Sequence, residues 1–94
     1  MIVSYRDKRT RQFAAGETVR AFETFRRQAE KRLAVLGAAT SVDDLRALPS
    51  NRLEVLRGDR AGHWSIRVIL QWRLCFEWPG GAAGPVNVEL ADYH

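Results

Sequence analysis

The chain closes on Asp92-Tyr93-His94, an acid, a phenol and an imidazole in a row at the end of an expected strand. Upstream lies a stretch rich in arginine and aromatic residues, Leu56-Arg57-Gly58-Asp59-Arg60-Ala61-Gly62-His63-Trp64-Ser65-Ile66-Arg67, followed by Trp72-Arg73. Such groups suit metal-free cleavage of RNA, because the ribose 2′-hydroxyl is an internal nucleophile. The protein need only remove one proton, supply another and stabilise charge on the phosphate. His94 could act as acid or base near neutral pH, Asp92 could orient or charge its ring, and Tyr93 could stack on a base or donate a hydrogen bond. Arg73 and Arg57 would hold the phosphate, with Arg60 and Arg67 as further RNA contacts. Taken singly, each has a plainer reading, a frayed terminus for His94 and a solvated strand face for the arginines, so the combination carries the argument.

These side chains must be positioned by a sheet. Leu53, Val55, Ile66, Val68, Leu74, Phe76, Val86, Val88 and Leu90 follow the two-residue alternation of strands with one buried face, and turn signals at Gly58-Asp59 and Gly80-Gly81 to Gly84-Pro85 divide them. The pattern predicts strands near 53–57, 63–70, 72–78 and 86–91, the last three read most simply as consecutive antiparallel neighbours. Leu74, Phe76 and Trp78 then share one face while Arg73, Cys75 and Glu77 share the other. If the last two strands pair, Arg73 and the tail converge.

The first half is helical. Ile2, Val3 and Tyr5 make a short strand, closed by the charged run Arg6 to Arg9 before Thr10 caps a brief helix through Ala14. From Glu17 to Leu36, Val19, Phe22, Phe25, Ala29, Leu33 and Leu36 recur at three- and four-residue steps, as one helix face requires, and Gly37 stops the run. Ser41-Val42-Asp43-Asp44 is a further helix start, running to about Leu48 before Pro49. Helices first and a meander after, with an N-terminal strand able to join the sheet, predict an α+β fold with helices on one face of a mainly antiparallel sheet.

Ninety-four residues, 46% of them hydrophobic, suit one domain spanning 1–94 with a single modest core. A formal charge of +4, carried almost wholly by arginine, favours a polyanionic partner. Cys75 stands alone, so no internal disulfide is expected, and no apolar run is long enough to span a bilayer. A cytoplasmic protein with no membrane association is expected. Cys75, His63 and His94 lack metal-ligand spacing, so no metal or other cofactor is expected, and His63 beside Trp64 reads as structural or RNA-stacking rather than catalytic. Phosphate loops, dinucleotide turns and serine elbows are absent.

Asn51-Arg52-Leu53-Glu54-Val55-Leu56-Arg57-Gly58-Asp59-Arg60, Gly62-His63-Trp64-Ser65-Ile66-Arg67, Gln71-Trp72-Arg73-Leu74-Cys75-Phe76 and the closing Asp92-Tyr93-His94, taken in order, resemble the HigB toxins of the RelE/ParE superfamily, the plasmid maintenance system killer family. The resemblance spans nearly the whole chain. It implies a compact RelE-like fold and a ribosome-dependent endoribonuclease that cuts mRNA in the decoding site of the small subunit. It also implies a HigA-like helix-turn-helix antitoxin that holds the toxin inactive, with operator DNA touched only through that antitoxin. Arg57, Arg73, Asp92, Tyr93 and His94 align with functional positions of the family. Some members carry lysine where Arg57 stands and histidine where Glu54 stands. Arginine is a poor proton donor, so Arg57 would stabilise charge while His94 or Asp92 handles protons. Two other readings compete: a ParE-like toxin that inhibits gyrase by binding, and a non-catalytic basic module that binds RNA or an antitoxin.

Overall fold

A computed structural model describes residues 1–56 and 62–92. Its sheet is a four-stranded antiparallel meander, β1 (Glu54–Val55), β2 (His63–Ile69), β3 (Trp72–Glu77) and β4 (Val86–Asp92), ordered β1-β2-β3-β4. The N-terminal segment joins β4 in parallel through a Tyr5–Val88 bridge, with Val3 N donating to Pro85 O at 2.8 Å and Arg6 N to Val88 O at 2.9 Å. It passes so close to Gly84 that a Cβ there would lie 1.8 Å from the Met1 carbonyl oxygen.

Helix α1 (Lys8–Ala14) begins inside the charged run that had been expected to close a strand. Asp7, not Thr10, is its cap, accepting from Thr10 N at 3.2 Å. That frees the buried Thr10 hydroxyl for the sheet, where it accepts from Leu90 N at 3.0 Å and satisfies a β4 edge donor beyond the reach of the N-terminal segment.

The helix expected over 17–36 is two elements, a 3-10 helix at Arg20–Phe25 and α2 at Arg26–Ala38. The division has a physical cause. Val19, Phe22 and Phe25 are three residues apart, the period at which 3-10 side chains eclipse, and all three are buried, whereas Ala29, Leu33 and Leu36 follow the α-helical steps. Phe22 packs edge-on to Phe13 and Trp72 at 5.5 and 5.6 Å, and Phe25 lies 5.0 Å from Trp72, so the tight turn seats an aromatic cluster on the sheet. Burying one such ring stabilises by roughly 1.5–3 kcal/mol.

Helix α3 (Val42–Arg46) starts where the sequence predicts, with Ser41 as cap, and a 3-10 turn at Pro49–Asn51 leads into β1. The core lies between the helices and one sheet face, with Phe22, Leu36, Ile66, Leu74 and Val88 at 0% exposure.

Candidate functional site

The sheet face away from the helices carries the cations. Arg67 and Arg73 stand directly opposite one another on β2 and β3, and Ala91 completes the row on β4. The adjoining row is Glu54, Ser65, Cys75 and Glu89. Strand alternation places all of these on one face, because Ile66, Leu74 and Leu90 between them point into the core.

Arg73 is far less exposed than a solvated strand arginine, at 8%. Its Nε donates to Ser65 Oγ at 2.7 Å, and its Nη2 donates to the Arg52 carbonyl and, at 3.4 Å, to the Ser65 carbonyl. Glu54 Oε2 lies 4.0 Å from Nη2, but with its side chain 62% exposed this pair is screened by water and contributes under about 1 kcal/mol. Arg73 is thus held mainly by neutral oxygens, which orient its charge without cancelling it.

Arg67 is partly buried, and its Nε is shielded from water with no hydrogen-bond partner among the described residues. Two like charges directly opposite in a sheet repel, and an unsatisfied buried donor adds a further penalty. The repulsion is the part of this cost that a nearby negative charge would offset, since the shielded Nε is closed to solvent. The small side chain of Ala91 puts no bulk beside Arg73 at that end of the row.

Asp92 pairs with Trp72, the neighbour of the Arg73–Ala91 pair. Asp92, the last described residue, thus ends β4 one pair beyond the Arg73–Ala91 pair. The Asp92 side chain, however, falls on the Leu90 and Trp72 face, opposite to Arg73, because it is two residues beyond Leu90. Arg57, Arg60, Tyr93 and His94 lie outside the described residues.

His63 sits at the far end of the same face, its Nε2 3.5 Å from Glu77 Oε1, while Glu77 also accepts from Asn87 Nδ2 at 2.7 Å. Among the described residues no group of three or more His, Cys, Asp or Glu could hold a metal ion. No helix there is long and apolar enough to cross a membrane. Two grooves of about 370 and 250 Å³ lie elsewhere, one by Tyr5 and Leu33, the other by Val35 and Leu48. Glu30 on the wall of the first and Asp44 on the wall of the second make both poor sites for phosphate chemistry.

Ser65 and the Arg52 carbonyl, which hold Arg73, received no role from the sequence. Ser65 could have been found as the residue two before Arg67 on the same strand face.

The family described as a RelE-like toxin of type II toxin-antitoxin system HigB matches residues 3–94. Toxin HigB-1 of Vibrio cholerae serotype O1 is 47% identical over 53 residues, 56% of this chain and 56% of that protein. Endoribonuclease HigB of Proteus vulgaris is 40% identical over 63 residues, 67% of this chain and 65% of that protein. The matched stretches thus span less than two thirds of either relative. A solved YoeB/ParE toxin from Agrobacterium tumefaciens superposes with a TM-score of 0.60 at 14% identity, covering 99% of this chain and 98% of that one, a likeness of fold.

Proposed function

The chain belongs to the HigB-like family of RelE-like toxins of type II toxin-antitoxin systems, and from that premise we propose that it is an endoribonuclease that cuts mRNA on the ribosome. The observation that carries the reading is the Arg67–Arg73 pair, two cations at directly opposed strand positions, one of them with a shielded, unsatisfied donor. A phosphodiester over the pair would relieve the repulsion between the two guanidinium groups.

The reaction needs no metal. The 2′-hydroxyl oxygen attacks the adjacent phosphorus as a base takes its proton, the bond from phosphorus to the 5′-oxygen breaks, and an acid protonates that leaving oxygen. A cyclic phosphate and a 5′-hydroxyl result. Arg73, Arg67 and Arg57 stabilise the charge on the phosphate, and Arg60 adds a contact to the RNA backbone. His94 exchanges the protons, Tyr93 stacks on a base or donates to the phosphate, and Asp92, from the edge of the other face, orients the tail.

The Arg67–Arg73 face is a sheet surface, which suits a toxin that takes its mRNA already splayed out in the decoding site. A net charge of +4 supports docking on ribosomal RNA phosphates. The partner in the resting cell is an antitoxin of the HigA type, through which alone operator DNA is reached.

Purified protein added to a translation extract, with mRNA 5′ ends mapped, tests this reading. Cuts in step with codons on translating mRNA, and few on the same RNA without ribosomes, are expected. An extract with intact mRNA, together with arrested DNA synthesis in cells, would overturn the reading in favour of gyrase inhibition.

A further inference from the structure

Arg73, only 8% exposed, is held in a cradle of neighbouring oxygens on the sheet face away from the helices. Ser65, at 0% exposure, accepts from its Nε, and the Arg52 carbonyl accepts from its Nη2. Arg52 is in the left-handed region, φ 49° and ψ 50°, which an arginine adopts only under constraint. The constraint comes from the turn before it. Asn51, also at 0% exposure, donates through Nδ2 to the Leu45 carbonyl at 3.0 Å and accepts from Arg32 Nη1 at 2.6 Å. One buried amide thereby ties the end of α3 and the flank of α2 to the turn that aims the Arg52 carbonyl. The path Arg32, Asn51, Arg52 carbonyl, Arg73 crosses from the helical layer to the opposite side of the sheet.

We infer that Ser65 and Asn51 are positioning residues for Arg73: Ser65 fixes the guanidinium directly, and Asn51 fixes it through the left-handed Arg52 carbonyl. With Nε and Nη2 held, the plane of the guanidinium is set before RNA arrives. This rests on the RNA-cleaving reading above, but the positioning itself is a property of the free protein.

Two measurements separate the claims. In the free protein, the Arg73 Nε–H resonance is expected to exchange with solvent far more slowly than that of an exposed arginine such as Arg20. Ser65→Ala is expected to remove that protection and Ser65→Thr, which keeps the hydroxyl, to restore it. In the cleavage reaction, Ser65→Ala is expected to lower kcat by about 10- to 100-fold with KM little changed, because a misaimed group loses contacts made only in the transition state. Asn51→Asp, which keeps the acceptor for Arg32 and loses the donor to Leu45, is expected to lower kcat in the same sense. It carries the test if Ser65→Ala does not fold.

Rapid Nε–H exchange in the wild type would overturn the inference whatever the protein does to RNA. So would a folded Ser65→Ala or Asn51→Asp with wild-type kcat while Arg73 variants are inactive. A wild type that protects Nε–H yet cuts no RNA would sink the functional reading and leave the cradle standing.

Discussion

Arg67 is the residue whose energetics and proposed role pull in opposite directions. It faces Arg73 across two strands with its Nε buried and unsatisfied. Replacing it with glutamine removes the repulsion and the charge, so Arg67→Gln is expected to stabilise the fold by about 0.5–1 kcal/mol in urea unfolding. The same change is expected to weaken RNA binding and to reduce the slope of log affinity against log salt by about one. Loss of both stability and binding would mean that Arg67 is a structural arginine. The cation pair was only partly legible in the sequence. Alternation put Arg73 with Cys75 and Glu77 on one face, but the direct opposition of Arg67 and Arg73 depends on the β2–β3 register, including the irregularity between Arg67 and Ile69.

Among the elements, the α3 cap and the strand periods were legible because their causes are local. The Ser41 cap is one such case, and its neighbour Asp44 completes it by accepting from Thr40 N and Thr40 Oγ1, both at 2.7 Å. These bonds, the hydroxyl's first, hold the Asp44 carboxyl below its ordinary value. A depressed folded-state value means that the stabilisation is complete above the unfolded carboxylate range and is lost as pH falls through the lowered value. Thr40→Val removes the larger bond and is expected to move the Asp44 titration upward, read by carbonyl-carbon NMR. An unmoved midpoint would assign the shift to the backbone bond. The break at Phe25 was hidden, since three-residue spacing suits either helix type until the aromatic cluster with Trp72 decides it. The same holds for Thr10, whose hydroxyl looks like a cap in sequence and is taken instead by Leu90, 80 residues away.

For the molecule as a whole, the two sheet faces divide the labour between core and proposed site. One face spends nearly all its apolar side chains on a single core under the helices, and the other holds its few polar groups in place from behind. The fold and the family were readable because alternation and the ordered motifs span most of the chain. Side-chain direction follows from alternation, as at Asp92 two residues beyond Leu90, but the Arg73 cradle was invisible because it depends on a backbone carbonyl turned by Arg52.

The most direct test of the account is the single-turnover cleavage rate of ribosome-bound mRNA by Arg73→Gln, measured beside a wild-type control after melting curves establish that the variant is folded. Loss of a charge aimed at the transition state predicts a rate at least about 100-fold slower. A folded Arg73→Gln that cuts at the wild-type rate would contradict the account.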